Sequence, residues 1–306
     1  MTRISQNGLY DISMEVYHSD CCDGPSISSG GLNLINSECP AVYWGRSYLN
    51  PNGQSDIDTK ALAVGKAAHS LALGEPEFNS HFAILPFDSL RTNEAKAWRD
   101  KTEAEGKTIL RADDFVMVKE MAAAIKRSPQ CARAFRDGKP ERSLIWRDEE
   151  TGVWLKSRPD WLPDDPASGW VIDYKTTADL RPRKFSAQAF ECGYHLQAAL
   201  QVDACRAVLG VDPVGIGHVV QEKSPPYLAE LRLFTPEQID FGRREYRRAL
   251  RAFARCWASK RWPGYTTEPQ YIETPYYIAK NMEDPFYGDD QDAAGGSTED
   301  VDFAAA

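Results

Sequence analysis

One stretch in the middle of the chain, residues 154–175, limits the possible folds more than any other. Residues 153–158 and 170–175 are both rich in apolar side chains, and both predict strands. Residues 162–169, between them, are rich in Pro, Asp, Ser and Gly, a composition typical of turns. The sequence therefore predicts a β-hairpin at this point.

Three charged side chains lie along this predicted hairpin. Because side chains alternate across a strand, Asp173 and Lys175 point to the same face, and the hairpin places Asp160 beside Asp173. Two carboxylates suit a hard cation such as Mg²⁺, and an ammonium group beside it can position a water or stabilise charge at phosphorus. This combination predicts metal-dependent phosphodiester hydrolysis. A D-x-K strand is also typical of a solvated sheet edge, so the choice between a catalytic site and a solvated edge depends on the rest of the chain.

The net charge of −9 over 306 residues is unusual for a protein that binds DNA, but its distribution is uneven. Residues 283–306 contain eight acidic side chains and no Lys or Arg, so residues 1–282 carry a net charge of about −1. We predict a folded domain over residues 1–287, followed by an acidic, Gly- and Ala-rich tail over 288–306 that is disordered. The charge therefore does not exclude nucleic acid as a substrate.

The cysteines and the apolar runs bear on the location of the protein. Seven scattered cysteines, an odd number, do not form a disulfide framework in a chain of this length. The sequence has no run of 18 apolar residues, and the N-terminal residues lack the apolar stretch of a signal peptide. These features predict a cytoplasmic protein.

Two predicted helices bring further polar side chains to a buried face. Residues 56–74 have helical periodicity, and His69 lies on the apolar stripe in a G-x-x-x-H pattern. It is either a core histidine or a metal-associated one. Residues 186–209 predict a long helix with Gln197 and Gln201 on its apolar face. Because a buried amide needs partners, Gln197 is expected to face a polar cleft.

Several residues are candidates for contact with DNA. Two serines can cap a short helix, and a free helix N-terminus can also bind a phosphate. A basic loop follows the D-x-K strand, where phosphate binding and simple solvation are equally plausible. The candidates are Ser28, Ser29, Arg158, Arg181, Arg183 and Lys184. The basic face of the helix predicted over 236–261 could follow a DNA backbone, but we interpret it as a solvated face. Glu141 could reach the site from a neighbouring strand, but we interpret it as an ordinary surface carboxylate.

The pattern P-D-x₁₂-D-x-K, taken with its flanking blocks, resembles the RecE-type (exonuclease VIII-like) branch of the RecB-like PD-(D/E)xK nucleases. The blocks are GKAAHSLALGEPEF, ERSLIW, TGVWLKSRPDWL, VIDYKTT, GYHLQAALQVDA and WPGY, in this order over residues 25–266. The resemblance implies an α/β (α+β) fold with a mixed central sheet flanked by helices. It also implies that Gln197 corresponds to the glutamine of a Q-x-x-x-Y helix beside the site. Here the tyrosine position is Gln201, which puts the DNA contacts of that helix in doubt.

The same resemblance assigns the catalytic roles. It implies that His69, Asp160 and Asp173 hold Mg²⁺, with Mn²⁺ as a substitute, that the backbone carbonyl of Tyr174 is a further ligand, and that Lys175 is the catalytic lysine. An iron–sulfur cluster is not expected, because Cys256 is the only cysteine near the C-terminus that could join Cys39.

The resemblance also implies an activity and partners. The activity is processive degradation of linear double-stranded DNA, commonly 5′→3′, by a ring-shaped homo-oligomer (a trimer or tetramer). The partner is a single-strand annealing protein in phage-type recombination. The alternatives are a nuclease-fold scaffold that binds DNA without cutting it, and a structure-selective endonuclease. The apparent lack of a separate specificity domain weakens the endonuclease interpretation.

Overall fold

The computed structural model describes residues 3–54 and 60–282. They form twelve α-helices and a π-helix, Cys205–Leu209; the α-helices are α1 (Met14–Tyr17), α2 (Ser29–Ser37), α3 (Pro40–Arg46), α4 (Lys60–Leu73), α5 (Glu75–His81), α6 (Asn93–Ala104), α7 (Ala112–Arg127), α8 (Pro129–Ala134), α9 (Pro182–Glu191), α10 (Tyr194–Ala204), α11 (Pro236–Ser259) and α12 (Tyr276–Met282). The strands are β1 (Gly8–Tyr10), β2 (Ser26–Ser28), β3 (Phe82–Ile84), β4 (Thr108–Leu110), β5 (Gly138–Pro140), β6 (Ser143–Arg147), β7 (Trp154–Ser157), β8 (Trp161–Pro163), β9 (Trp170–Thr177), β10 (Gly215–Glu222) and β11 (Ala229–Leu233).

The chain divides into two compact units. The first comprises Met1–Tyr265 and the second Thr266–Ala306, of which α12 is the described helix. The predicted acidic tail over 288–306 lies outside the described residues. No helix in the described part of the chain is both long and apolar enough to cross a membrane. The seven cysteines are free thiols.

Mixed sheets confirm the predicted fold class. A five-stranded sheet has the order β11-β10-β9-β8-β5, in which β9 and β10 are parallel and the other pairs antiparallel. A four-stranded sheet has the order β1-β6-β7-β2, with β2 parallel to β7. A parallel pair, β3-β4, completes the set. Long helices cover these sheets, as an α/β architecture requires.

The two faces of β9 contact different helices. Val171 belongs to the larger core, which includes side chains of α2, α10 and α11, whereas Ile172 and Tyr174 belong to a second core with α4 and α7. This alternation follows from the two-residue period of a strand. Because Asp173 and Lys175 share the parity of Val171, they point toward α10.

The prediction of a hairpin is wrong for the first of its two strands. β7, expected to pair with β9, lies in the four-stranded sheet and pairs with β6 and β2. Pro159 interrupts the chain after β7, since proline lacks the N–H that a ladder needs. The chain then enters the five-stranded sheet as the short strand β8, which pairs with β9 through Trp161 and Ile172. The switch between sheets leaves Asp160 at the junction.

The long helix predicted over 186–209 is also wrong as a single element. It is two α-helices, α9 and α10, separated by Gly193 in the left-handed conformation with φ +70°, and the π-helix Cys205–Leu209 directly follows α10. A Cβ at Gly193 would lie 2.0 Å from Asn33 Oδ1, so a side chain there would clash as well as strain the backbone. The bend turns the face of α10 that carries Gln197 and Gln201 toward β9, which both side chains contact.

Candidate active site

The structure brings Asp160, Asp173 and Lys175 together at the point where the chain switches sheets. Asp160 Oδ2 accepts a 2.6 Å hydrogen bond from the backbone N–H of Tyr174, which fixes this carboxylate against β9. Lys175 Nζ lies 3.3 Å from Asp173 Oδ1. The Tyr194 ring packs below the ammonium group, 5.1 Å from its centroid to Nζ. The sequence therefore predicted the convergence correctly, although through the wrong hairpin.

Two glutamines of α10 hold the Asp173 carboxylate, which is only 1% exposed. Gln197 Nε2 donates to Asp173 Oδ1 over 3.0 Å. Gln201 Nε2 donates to the other oxygen, Oδ2, while its own Oε1 is buried without a partner. Gln197 thus faces the polar site as expected. Gln201 contacts the same carboxylate, a role that its departure from the Q-x-x-x-Y pattern did not indicate.

His69 lies on the other side of Asp160. Its Nε2 is 3.0 Å from Asp160 Oδ1, but the pair lacks hydrogen-bond geometry, and this buried nitrogen has no hydrogen-bond partner. Its Nδ1 is 3.8 Å from Glu141 Oε1. The placement of His69 beside an acid distinguishes it from a core histidine packed only among apolar side chains.

Glu141 is part of this cluster, contrary to its interpretation as a surface carboxylate. Its side chain is only 14% exposed, and Oε2 accepts a 2.9 Å hydrogen bond from Arg158. Its backbone has φ +50°, uncommon for a residue other than glycine, and its N–H donates to the carbonyl of Asp160. The sequence signal for this role was the position of Glu141 directly before a buried strand, which is a weak signal.

The protonation equilibria follow from burial and from opposite charges. Burial disfavours the ionised form of Asp160, but His69 and Lys175 outweigh it, and the pKa of this carboxyl lies below its ordinary value. Burial raises the pKa of Asp173, with Lys175 acting against the rise. Burial also opposes charge on Lys175 and on His69, yet the neighbouring carboxylates raise the pKa of both. The lysine is therefore held as an ammonium group.

The donor set fits a hard divalent cation. Within the described ranges 3–54 and 60–282, no three His, Cys, Asp or Glu side chains form a ready-made metal cage. Mg²⁺ does not require one, because it is usually held by one or two carboxylates together with waters and substrate phosphate oxygens. The further observation that fits a cation at this point is the buried His69 Nε2, which makes no hydrogen bond and lies 3.0 Å from an oxygen of Asp160. The residues that would hold it are Asp160, Asp173 and His69; the Tyr174 carbonyl stays a prediction.

Some predicted DNA contacts line open surface and others do not. Ser28 lies half-buried at the start of α2, in a groove of about 380 Å³ that His18 and Arg46 also line, and Ser29 follows it on the helix. Ser28 is the N-cap residue of α2, but its side chain makes no capping hydrogen bond.

The basic loop after β9 is exposed. Arg181 is 77% exposed and forms an ion pair with Asp179 at 2.5 Å, while Arg183 and Lys184 are exposed at the start of α9. Their contact with DNA stays a prediction.

Arg158 points inward and binds the protein itself. Besides Glu141, its guanidinium donates to the carbonyl of Ile12 over 2.7 Å and to the hydroxyl of Ser143 over 3.0 Å. Its side chain is 9% exposed. These contacts favour a structural role for Arg158, which holds Glu141 in place, over the DNA contact proposed from sequence.

The arginines of α11 are largely paired within the protein. Arg243 contacts Asp203 and Asp240, while Arg247 and Arg251 both contact Glu150. The structure therefore agrees with the interpretation of this face as solvated, and it shows acidic partners for three of its arginines.

The layered α/β fold, the two acids and the lysine of the D-x-K strand define a chain of the PD-(D/E)xK nuclease class. A family model described as a PDDEXK-like domain of unknown function (DUF3799) matches residues 36–275, and the chain belongs to that family. No curated protein matches it. A crystal structure from Eubacterium rectale, of a protein described there as a candidate exonuclease, has a similar fold. Its TM-score is 0.61 at 15% identity, covering 90% of this chain and 99% of that one.

Proposed function

We propose that the protein is a Mg²⁺-dependent exodeoxyribonuclease that degrades linear double-stranded DNA in the 5′→3′ direction. The observation that carries this proposal is the convergence of Asp160, Asp173 and Lys175 beside a buried His69 nitrogen that makes no hydrogen bond. Family membership and the fold of the solved neighbour support the nuclease class. The polarity and the preference for DNA ends rest on the resemblance to RecE-type enzymes.

In this proposal, the acids, the glutamines and the lysine of the site have separate roles in hydrolysis. When bound, Mg²⁺ polarises a phosphoryl oxygen and makes a water more acidic. Asp160 and Asp173 are the acids that would hold it, and the two glutamines orient Asp173. Lys175, whose pKa is raised by the two carboxylates, remains charged and stabilises negative charge developing at phosphorus. Because it is held as an ammonium group, positioning a water and stabilising charge suit it better than removing a proton.

The groove beside α2 supports a path for the DNA strand. Ser28 and the N-terminus of α2 line it together with Arg46, a combination that suits a backbone phosphate. The proposal also includes a ring-shaped homo-oligomer and a single-strand annealing partner in phage-type recombination, both on the ground of the resemblance.

Digestion of end-labelled DNA tests this proposal. A linear duplex labelled at the 5′ or the 3′ end is incubated with Mg²⁺ or with EDTA, and a closed circle is the second substrate. We expect Mg²⁺-dependent loss of the 5′ label from the linear duplex alone. Cutting of the circle would indicate an endonuclease, and folded protein that binds DNA without cutting it would indicate a scaffold.

Two substitutions test the assigned roles. Lys175→Ala should abolish cleavage while leaving metal binding largely intact, whereas Asp173→Ala should lose both. Lys101→Ala, at an exposed position on α6, is the matched control and should cleave normally. Full activity of Lys175→Ala would refute the scheme.

A further inference from the structure

A second pocket lies behind the lysine of the candidate active site. It has a volume of about 170 Å³ and is lined by residues of α9, β10, β11 and the start of α11. Its polar groups include His218 and Arg232, and its walls include the rings of Phe185, Phe190 and Phe234. None of these residues takes part in the site described above.

Three nitrogen atoms of the polar lining residues have no partner within the protein. His218 is 1% exposed, yet both Nδ1 and Nε2 are buried without a hydrogen bond. Arg232 Nε is buried and unpartnered as well, while another of its nitrogens, Nη2, donates to the carbonyl of Leu180 over 3.1 Å. Buried polar groups in folded proteins are nearly always satisfied. Three unsatisfied nitrogens on two residues that line one pocket therefore indicate that it takes a polar occupant.

The charges around the pocket argue against a simple anion. Arg232 is neutralised by Glu230, 2.5 Å away. His218 is 1% exposed and lies against the rings of Tyr194 and Phe234, an apolar setting that disfavours a charged imidazole. A neutral imidazole offers one donor and one acceptor, and Arg232 Nε adds a second donor. The occupant needs hydrogen-bonding atoms of both kinds more than it needs charge.

Aromatic rings surround these polar atoms and continue to the surface. The ring of Phe234 meets His218 edge-on at 5.3 Å and Phe190 edge-on at 6.0 Å. Phe190 is 37% exposed, and the neighbouring Phe241 is 40% exposed, 6.5 Å away. A pocket with aromatic walls and a few donors and acceptors suits a flat heterocycle that has apolar faces and a polar edge.

The pocket is connected to the candidate active site through one ring. Tyr194 stacks on His218 with ring centroids 5.7 Å apart, and the same ring lies 5.1 Å from Lys175 Nζ. His218 is also the partner of Asp173 in the parallel ladder between β10 and β9. The pocket and the lysine of the site therefore lie on either side of the Tyr194 ring, close enough for one extended molecule to contact both.

From this geometry we propose that the pocket binds a single unpaired nucleobase of a DNA strand, with its faces against the phenylalanine rings and its edge toward His218 and Arg232. The inference rests on the proposed function, since DNA is the substrate that carries such a group. A nucleobase supplies both the donors and the acceptors that the three nitrogens lack. Ordered water, the other polar occupant, would leave the exposed phenylalanine rings without a role.

Binding of short single-stranded DNA to the full-length protein tests this proposal. A fluorescently labelled oligonucleotide is compared with a series in which one base at a time is removed to leave an abasic sugar, all in EDTA so that nothing is cleaved. We expect one position at which loss of the base weakens binding roughly tenfold, as for a stacked base. His218→Phe fills the polar end of the pocket and should abolish that difference. Tyr246→Phe changes a buried ring outside the pocket, so this variant should still bind the sensitive abasic oligonucleotide more weakly than the intact one.

The outcomes separate this inference from the proposed function. Equal binding of every abasic oligonucleotide by the wild-type protein overturns the base pocket, even if the protein digests linear DNA with Mg²⁺. A single sensitive position that persists unchanged in folded His218→Phe also overturns it. Conversely, a sensitive position in a protein that fails to cleave supports the pocket while refuting the nuclease. The wild-type comparison needs no variant, so a misfolded substitution does not leave the question open.

Discussion

Replacing Gln201 by leucine should weaken metal binding without unfolding the protein. Gln201 is 1% exposed, donates to Asp173 Oδ2, and leaves its own Oε1 without a partner. Leucine has nearly the same shape but cannot donate, so the buried carboxylate loses one of its two amide contacts. Asp173, whose pKa is already raised by burial, then ionises less readily and holds a cation less well.

The magnitudes separate the effects on stability and on metal binding. A hydrogen bond to a charged group is worth about 1.5–3 kcal/mol, and an unsatisfied buried polar atom costs about 1–3 kcal/mol. Leucine removes the bond and the unsatisfied Oε1 but leaves Asp173 Oδ2 without this donor, so the free energy of unfolding should fall by about 1.5–3 kcal/mol, which still leaves a folded protein. Groups that orient a metal ligand typically contribute about 10–100-fold to metal affinity. We expect a loss in that range.

Gln221 is the matched control for this substitution. It is also fully buried, but it lies on the other side of the five-stranded sheet, where it accepts from the Tyr174 hydroxyl and donates to the carbonyls of Met121 and Tyr227. Gln221→Leu removes three hydrogen bonds, so it should lower stability more than Gln201→Leu does, and it should spare metal binding. Calorimetric titration with Mn²⁺ and urea unfolding measure the two quantities. Unchanged metal affinity in Gln201→Leu would refute the orienting role.

Two further predictions concern stability. Arg158→Leu leaves Glu141 buried without its cation and should cost about 3–5 kcal/mol in urea unfolding, whereas Arg99→Leu, which breaks an exposed pair, should cost under about 1 kcal/mol. Similar costs would contradict the structural role of Arg158. The pKa of His218 is lowered from 6.5 to about 3, so the unfolded chain binds the extra proton and stability falls as the pH drops from 6.5 toward 3. Replacing this residue by phenylalanine should flatten the decline by up to about 1.4 kcal/mol per pH unit, and an unchanged slope would contradict the burial of a neutral ring.

The sequence predicted the acids and the lysine because their spacing along one short stretch fixes their relation. It did not predict which strand pairs with β9, since β8 has three residues and contributes one pairing, Trp161 with Ile172. So short a strand has no detectable periodicity. The break at Gly193 did have a signal, because glycine is disfavoured inside a helix, but the apolar stripe continued across it.

Contacts between side chains that are far apart in the sequence could not be predicted from local sequence patterns. Glu141 reaches the site because Arg158, 17 residues later, binds its carboxylate, and because its backbone adopts φ +50°. Lys156 is the strongest case: it is fully buried, with Nζ donating to the carbonyls of Tyr17 and Ser19 at 2.5 and 3.2 Å. A lysine in a strand is ordinarily interpreted as solvated. Only the packing of β7 beside the N-terminal segment shows where its charge goes.

The charge balance of the site predicts that it needs a cation to bind DNA. Asp160, Asp173 and Glu141 bring three carboxylates together, against the two permanent cations Lys175 and Arg158. When His69 is neutral, as a histidine that binds a metal ion must be, the cluster carries one excess negative charge, and an approaching phosphodiester adds another in a setting where burial makes unpaired charge costly. A single divalent ion matches that excess, and the His69 nitrogen that makes no hydrogen bond offers it a ligand. A monovalent ion leaves one charge uncompensated, so K⁺ or Na⁺ at equal ionic strength should not replace Mg²⁺ in supporting tight binding of DNA at this site.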